Sequence, residues 1–337
     1  MFEILKKKYS VTGIGNAIID IVANVEDDFI NKHNLDKGSM RIINEDEAQW
    51  LNGQISAVKM ISGGSAANTV AGLAMLGHKV AFIGKVKDDP CGKAFEKELK
   101  AIGVTFITQK AQDSTSSTAR CIVLSTPDAQ RTMNTCLGIA GSLGPEDIDE
   151  ETITNSSIIY LEGYLWDKDI AKKAIMKAIK LAQSTGLKVA FSLSDSFCVI
   201  RHKEEFLNLV NNYIDILFAN ELEIAALFGT DNLDFAIDKC KQLKILAVIT
   251  RSEKGSIILF EHKITLVEAE TTKVIDSTGA GDLFAAGFLS GLIKGKDLYC
   301  CGKMGSIMAS EAISHYGARP ELSLIKLLKE KGFENFF

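Results

Sequence analysis

A seven-residue stretch that ends at Asp282 carries the residue types of a phosphate-binding turn. It reads Asp276-Ser277-Thr278-Gly279-Ala280-Gly281-Asp282, and the apolar positions that follow repeat at the spacing of one helix face: Leu283, Phe284, Phe288, Leu289, Leu292 and Ile293. The glycines therefore lie at the start of a buried helix, where unpaired amides and the positive end of the helix dipole attract anions. Such a turn can hold a transferring γ-phosphoryl group, and Asp282 can accept the proton of an attacking hydroxyl. Alternatively, the glycines form only a turn, and Asp282 only favours the helix dipole.

A second element, Asn220-Glu221-Leu222-Glu223, follows an apolar strand predicted over residues 214–219. Asn220 and Glu223 lie three positions apart, so they face the same side of a helix start. A carboxylate in that place can hold Mg²⁺ through water. The alternative is an ordinary helix cap, in which Asn220 is the N-cap and the acidic residues occupy the first turn.

Two further segments can bind a hydroxylated substrate. Ser62-Gly63-Gly64-Ser65-Ala66-Ala67-Asn68 is a glycine turn that opens a helix, and Asn68 offers a donor and an acceptor to a hydroxyl. Asp20 interrupts an apolar strand, where a buried carboxylate must find hydroxyls, amides or a cation. One carboxylate suits the two vicinal hydroxyls of a ribose. The alternatives are a turn that only packs its helix and an exposed Asp on an edge strand.

Strand and helix patterns alternate along most of the chain and predict how these segments meet. Short apolar runs precede longer helical patterns at residues 80–83, 158–161, 188–192 and 214–219. This order predicts one doubly wound α/β domain over residues 1–337, with a mostly parallel sheet, helices on both faces and ligands at the carboxyl ends of the strands. Two interruptions, at about 18–43 and 118–136, predict a small β lid that can close over the site.

The composition excludes several classes of protein. A hydrophobic content of 46% and a charged content of 24% are typical of a soluble globular chain, and a net charge of −5 argues against a general nucleic-acid binder. No run approaches the roughly 20 apolar residues of a membrane span, and residues 1–10 lack the apolar core of a secretory signal. We therefore expect a cytoplasmic protein without nucleic-acid or membrane partners. The seven cysteines lack zinc-ligand spacing and are expected to be reduced thiols.

Taken together and in this order, the motifs resemble those of the ribokinase-like (PfkB) carbohydrate kinase family over essentially the whole chain. Ser277 stands where family members commonly have Thr. The resemblance implies a ribokinase-like fold with a β lid and an ATP-dependent kinase that uses Mg²⁺. It also implies site roles: Asp282 as catalytic base, an anion hole of Gly279, Ala280 and Gly281, and a magnesium motif of Asn220 and Glu223.

Within the family, the start Gly15-Asn16-Ala17-Ile18-Ile19-Asp20 is similar to that of adenosine kinases. This resemblance implies phosphorylation of the 5′-hydroxyl of adenosine in purine salvage, with another nucleoside or a free sugar such as ribose or fructose as the alternative. The implied substrate contacts are Asn16, Asp20, Gly64, Ser65 and Asn68. Arg131 resembles an arginine that approaches the transferred phosphate, and its positive charge suits that role.

The family resemblance also indicates where ATP and a monovalent cation bind. The implied nucleotide contacts are Asn220, Thr250, Gly255, Thr278 and Gly281, although Ser252 stands where a first glycine is expected. Asp276 and Thr278 resemble positions that border a K⁺ site in some relatives. The aromatic residues Tyr164, Trp166 and Phe197 could stack a purine, or they could belong to the core.

Three other functions are less consistent with the sequence. A dinucleotide-dependent oxidoreductase would need a third glycine after Gly13-Ile14-Gly15, and the next segment is β-branched instead of helical. A phosphate-loop kinase would need a glycine loop that ends in Gly-Lys-Ser or Gly-Lys-Thr. A nucleotide-responsive protein that had lost catalysis would not need Asp282, Asn220 and Glu223. The oligomeric state is left open between monomer and homodimer.

Overall fold

The computed structural model describes residues 3–112, 115–128 and 130–333, which form two β-sheets with surrounding helices. Its strands, in chain order, are β1 (Tyr9–Ile14), β2 (Ile18–Asn24), β3 (Met40–Ile42), β4 (Lys59–Gly63), β5 (Val80–Ile83), β6 (Val104–Phe106), β7 (Ala119–Ser125), β8 (Arg131–Cys136), β9 (Ser156–Glu162), β10 (Lys188–Ser192), β11 (Ile216–Asn220), β12 (Leu246–Thr250), β13 (Ser256–Phe260) and β14 (Lys263–Val267).

Thirteen α-helices accompany the strands within these residues. They are α1 (Asp27–Lys32), α2 (Glu45–Gly53), α3 (Ser65–Met75), α4 (Pro90–Ala101), α5 (Glu150–Thr154), α6 (Asp169–Ser184), α7 (Ser196–Arg201), α8 (Lys203–Asn212), α9 (Glu221–Phe228), α10 (Leu233–Gln242), α11 (Ala280–Ile293), α12 (Leu298–Ala312) and α13 (Leu324–Glu330). No helix in the part of the chain that the structure describes is long and apolar enough to cross a membrane.

The large sheet has nine strands in the order β14-β13-β12-β11-β10-β9-β1-β5-β6. Seven of them run parallel, as the strand-helix alternation predicts, and β13 and β14 add an antiparallel edge that we did not predict from the sequence. Successive residues of a strand point to opposite faces, and the two faces carry separate apolar clusters. Helices α3, α4, α11 and α12 cover one face, and α5 to α10 cover the other, which confirms the doubly wound ribokinase-like fold.

The small sheet has five strands in the order β3-β8-β7-β2-β4. Four of these strands come from the two segments expected to form a lid. The fifth, β4, leads directly into the Gly63-Gly64 turn and was not predicted. Strand β2 has neighbours on both sides, so the interpretation of Asp20 as an edge-strand residue is wrong.

Local signals in the sequence match several helix ends. Asn44 and Glu47 form the expected capping box at the start of α2, and Gly77 has a positive φ of 84° just after α3. Helix α11, which begins at the phosphate-binding turn, is buried over Leu283 to Leu292, as its apolar pattern indicates.

Helices α11 and α12 pack so closely that their backbones touch at glycines. A Cβ at Gly287 would lie 2.6 Å from the carbonyl oxygen of Met304, and a Cβ at Gly305 would lie 2.8 Å from that of Phe284. Backbone atoms cannot yield as a flexible side chain can. The position of α11, and with it that of Asp282, therefore depends on these small residues.

We predict that Gly287→Ala will destabilise the protein by about 1–3 kcal/mol, because the added methyl group overpacks a backbone contact. Urea unfolding followed by far-UV circular dichroism measures the change. Gly53→Ala is the matched control, since Gly53 also lies in a helix but has nothing within 4 Å of the added Cβ. A Gly287→Ala variant as stable as the Gly53→Ala variant would contradict this packing.

Candidate active site

The amino end of α11 has the geometry of an anion site. Gly279 is the N-cap and has a φ of 80°, in the left-handed region that glycine adopts freely. Ala280, Gly281 and Asp282 form the first turn, whose amides have no partner within the helix. A Cβ at Gly281 would meet nothing within 4 Å, so a ligand can approach this backbone closely. The turn can therefore bind a phosphate group through its amides.

The carboxylate of Asp282 joins the starts of two helices. Its Oδ1 accepts a hydrogen bond from Ser65 Oγ at 2.6 Å, and its Oδ2 accepts one from Asn68 Nδ2 at 2.9 Å. Thr69 Oγ1 donates to the backbone oxygen of Asp282 at 3.1 Å. Burial raises the pKa of Asp282, while these two side-chain donors oppose the rise. Two of the predicted substrate contacts thus bind the predicted base in this structure.

Asn68 retains an acceptor that a substrate could use. Its Oδ1 is buried and has no hydrogen-bond partner among the described residues. A buried amide oxygen without a donor costs free energy, so its position beside Asp282 favours a hydroxyl donor from a ligand.

Glu162 is a site residue that we missed in the sequence. It ends β9 and is buried, and its Oε1 accepts hydrogen bonds from the backbone N and Nδ2 of Asn16 at 2.7 and 2.8 Å. Its Oε2 accepts from the N of Ala66 at 2.7 Å. A Cβ at Gly15 would lie 2.5 Å from Oε2, so the glycine leaves room for the carboxylate. Glu162 therefore holds the β1–β2 loop against the start of α3.

The pKa of Glu162 is raised to about 7, chiefly by burial, although the three amide donors favour its charged form. Glu162 directly follows the apolar run at residues 158–161, and a carboxylate that adjoins an apolar strand is a signal related to that of Asp20, which lies within one. That signal could have identified Glu162 in the sequence.

Asp20 faces the site from β2, an interior strand of the small sheet. Burial raises its pKa to about 6, and the charges of Arg131 and Arg319 oppose the rise. A Cβ at Gly63 would lie 2.8 Å from Asp20 Oδ2, so the glycine turn and this carboxylate fit against each other. Gly64, with a φ of 99°, is the N-cap of α3. The structure thus brings together all five predicted substrate contacts at one end of α3.

Arg131 binds the first residue of the phosphate turn. Its guanidinium forms a buried ion pair with Asp276 and donates to Thr278 Oγ1 at 3.2 Å. Gly317 N also donates to Asp276, at 2.8 Å. Burial alone would raise the pKa of Asp276, but the donors Gly317 and Thr278 and the charge of Arg131 hold it below its ordinary value. The side-chain oxygens of Asp276 and Thr278, which were expected to border a K⁺ site, thus bind the guanidinium of Arg131 in this structure.

Asn220 and Glu223 form a capping box at the start of α9. Asn220 Nδ2 donates to Glu223 Oε1 at 2.6 Å, and Glu223 N donates to Asn220 Oδ1 at 2.8 Å. The helix-cap interpretation therefore holds. It does not exclude a metal role, because Glu223 is buried and its pKa is raised to about 7, first by burial and then by the nearby charges of Asp195 and Asp282. A cation would relieve that repulsion.

No cluster of three or more His, Cys, Asp or Glu side chains suited to a metal occurs within residues 3–112, 115–128 and 130–333. Glu223 therefore fits Mg²⁺ held mainly by waters and phosphate oxygens, the usual environment of that ion.

Thr250 lies opposite Asn220 in the register of β11 and β12. Gly255 has a φ of 81°, and a Cβ there would lie 2.0 Å from Val267 O. Asn220 and Thr250 thus lie at the carboxyl ends of β11 and β12, and Gly255 lies in the turn that follows β12.

The three candidate aromatic residues differ in their surroundings. Trp166 is buried and its Nε1 donates to Glu205 at 2.9 Å, so it belongs to the core. Tyr164 is half-buried, and nearby acidic groups, including Asp195, add to the effect of burial in raising its pKa. Phe197 is 73% exposed and is free to contact a ligand.

Comparison with known proteins identifies the family. Residues 11–324 match the pfkB family of carbohydrate kinases. The chain belongs to this family. It is an ATP-dependent small-molecule kinase that acts on a sugar or a nucleoside, and Mg²⁺ is the usual companion of ATP in such kinases.

Relatives of this PfkB kinase are named for different phosphoryl acceptors. An adenosine kinase from Sinorhizobium meliloti has a similar structure, with 42% identity, a TM-score of 0.89 and coverage of 96% of this chain and 99% of that one. A probable sugar kinase from Rhizobium etli has 38% identity, a TM-score of 0.89 and coverage of 97% and 99%. A 5-dehydro-2-deoxygluconokinase from Halalkalibacterium halodurans is 30% identical over 80% of this chain and 85% of its own. The family is therefore clear, and the acceptor requires a separate argument.

We predict that Glu162→Gln will raise the KM for the phosphoryl acceptor by about tenfold or more. The glutamine has only one side-chain oxygen, so either the donors of Asn16 or the amide of Ala66 would lose a hydrogen bond. The KM for ATP should change little, since the nucleotide contacts lie elsewhere. Steady-state kinetics with each substrate varied in turn measures the difference. Glu205→Gln, which removes a carboxylate that binds Trp166 and Lys172, is the control. Equal effects of Glu162→Gln on both KM values would contradict the assigned role.

Proposed function

We propose that this PfkB kinase phosphorylates the 5′-hydroxyl of adenosine with Mg²⁺-ATP, giving AMP and ADP. The observation that carries the proposal is a row of side chains across the small sheet. Asp20 is in register with Cys121 on β7, Cys121 with Thr135 on β8, and Thr135 with Ile42 on β3. Residues in one row of a sheet share a face.

The row continues well past the carboxylate that would hold a ribose. Neighbouring strands lie about 4.8 Å apart, so Ile42 lies about 14 Å across the sheet from Asp20. Ile42 is 60% exposed, and Met40, on the same face, is 48% exposed. A free pentose at Asp20 would leave this apolar surface in water, whereas a nucleoside could cover it with its base. The surface therefore supports a nucleoside.

The remaining site residues supply the chemistry of phosphoryl transfer. Asp20 would bind the vicinal hydroxyls of the ribose, and the unpaired Oδ1 of Asn68 would accept a substrate donor. Asp282 would take the proton of the attacking 5′-hydroxyl, while the amides from Gly279 to Gly281 stabilise charge on the transferred group. Mg²⁺, when bound near Glu223, would neutralise charge on the phosphates.

A second candidate is a free sugar or sugar acid. It is favoured by the 30% identical relative, which is named as a 5-dehydro-2-deoxygluconokinase. For such an acceptor Asp20 would bind two hydroxyls of the sugar, and the row toward Ile42 would have no ligand. The two candidates share one phosphoryl-transfer site and differ only in what covers the small sheet.

In a panel of adenosine, inosine, guanosine, ribose, fructose and 5-dehydro-2-deoxygluconate, we expect the nucleosides to give a higher kcat/KM than the sugars, because only a nucleoside covers the row. Among the nucleosides we expect adenosine to be preferred, as the resemblance of Gly15 to Asp20 to the start of adenosine kinases implies. The measurement is ADP release with Mg²⁺-ATP. Asp20→Ala should lower kcat/KM for adenosine strongly, through loss of the hydroxyl contacts. Equal turnover of ribose and adenosine would refute the nucleoside assignment, and no ADP release with any acceptor would refute the kinase activity.

Replacing Asp282 by Asn should lower kcat by about 10²- to 10⁴-fold, the usual contribution of a general base. Binding of adenosine, measured by calorimetry, should change far less, since Asn retains an acceptor for Ser65. Because burial raises the pKa of Asp282, wild-type kcat should fall as the pH drops through that value and the base becomes protonated. Asp297→Asn, at the start of α12, is the control. A proportional loss of binding and turnover would argue against a base.

A further inference from the structure

Three consecutive residues after α12 contact three separate parts of the site. The amide of Gly317 donates to the carboxylate of Asp276 at 2.8 Å. Ala318 lies against the N-cap of α11, where a Cβ at Gly279 would be 2.5 Å from its Cβ. Arg319 extends to the turn before α3. This segment, Gly317–Arg319, therefore touches both the phosphate turn, residues 276–282, and the turn at residues 62–68 that opens α3, which we call the substrate turn.

The guanidinium of Arg319 binds the substrate turn at three atoms. Its Nε donates to Ser62 O at 3.0 Å, its Nη1 to Ala67 O at 2.9 Å, and its Nη2 to Ser62 Oγ at 3.1 Å. These acceptors flank Gly63 and Gly64, which precede the donors Ser65 and Asn68 to Asp282. The fixed fork of an arginine suits such an arrangement better than a lysine does.

We propose that Arg319 is a positioning residue, which holds the substrate turn in register with the base Asp282 and places a positive charge between Asp20 and Asp282. The inference rests on the roles proposed above for those two carboxylates. Nothing in the sequence marked Arg319, because two of its three partners are backbone atoms and all three lie more than 250 positions away.

Arg319 forms no direct ion pair with a carboxylate of the described residues. Its hydrogen-bond acceptors are two carbonyls and one hydroxyl. Burial lowers its pKa to about 10, so it stays protonated, and the acids that favour its charge are Glu98, Asp20 and Asp282. A partly buried cation without an ion pair gains little stability for its loss of hydration, so its position is better explained by the site than by the fold.

The segment that carries Arg319 is itself held firmly. Glu311, at the end of α12, accepts hydrogen bonds at one oxygen from Glu321 N at 2.9 Å, Leu322 N at 3.1 Å and His315 Nε2 at 3.2 Å. Glu311 is buried, so these bonds are shielded from water. The loop on both sides of Arg319 is thereby fixed to α12.

The electrostatic part of the proposal can be separated from the geometric part. The charge of Arg319 lowers the pKa of both Asp20 and Asp282. The other ionisable groups that face these two acids are Arg131, Asp276, Cys121, Tyr160, Glu162, Tyr164 and Glu223. Loss of the charge should therefore move the acidic limb of the kcat/KM profile to higher pH. Loss of the fork alone should leave the limb in place.

Arg319→Gln and Arg319→Lys test these parts with whichever acceptor the panel identifies. Arg319→Gln should raise the acceptor KM by about tenfold or more and shift the acidic limb upward, with the ATP KM within about threefold of wild type. Arg319→Lys should keep the wild-type limb but not the wild-type acceptor KM. Arg120→Gln, which removes an arginine bound to Glu45 on the other face of the small sheet, should move neither.

Hydrogen exchange gives a test that needs no acceptor. Exchange of the amides from Ser62 to Asn68 should be faster in both Arg319 variants and unchanged in the Arg120→Gln variant. Wild-type exchange in that turn, or an acceptor KM within about twofold of wild type in both Arg319 variants, would overturn the proposal. An equal limb shift in Arg319→Lys and Arg319→Gln would overturn its electrostatic part. Adenosine failing as an acceptor would refute only the substrate assignment.

Discussion

The site depends on one contact, in which the carboxylate of Asp282 receives donors from Ser65 and Asn68. This contact joins the first turn of α11 to the first turn of α3. It requires both helices to lie at fixed depth against the large sheet. Helix α11 achieves this by backbone contact with α12, and by contact with α3 at Gly72, where a Cβ would lie 2.8 Å from Ala286 Cβ. The proposed phosphate site and the proposed substrate site therefore meet because two helices that begin at glycine turns share the carboxylate of Asp282.

Several carboxyl groups near that contact have no cationic partner in direct contact among the described residues. Asp20, Glu162, Glu223 and Asp282 all have a raised pKa, chiefly because burial disfavours their charged forms. Groups arranged in this way are expected at functional sites, since a stable fold gains little from them. The repulsion favours ligands that bring cations or hydroxyl donors. A magnesium-bound nucleotide and a polyhydroxylated acceptor have these properties.

Local sequence patterns predicted the parts of the site that depend on local structure. The glycine turns before α3 and α11 and the cap of α9 were visible because the required residues lie within one turn of helix. Glu162 and Arg319 were missed because their partners come from distant segments and are mostly backbone groups, which carry no residue signature. Strand β4 was missed because its pattern is only partly buried, and its pairing with β2 identifies it only in three dimensions.

The same division explains why the reaction could be predicted from sequence more sharply than the acceptor. The residues proposed for phosphoryl transfer belong to short motifs at helix starts, where the geometry follows from the local sequence. The proposed acceptor surface lies on the small sheet, where the row from Asp20 to Ile42 is built from two pairs of strands that are far apart in the sequence. Each residue of that row is ordinary for a strand, and only the register places them on one surface. Relatives with one phosphate turn and different acceptors are therefore expected to differ chiefly in this sheet.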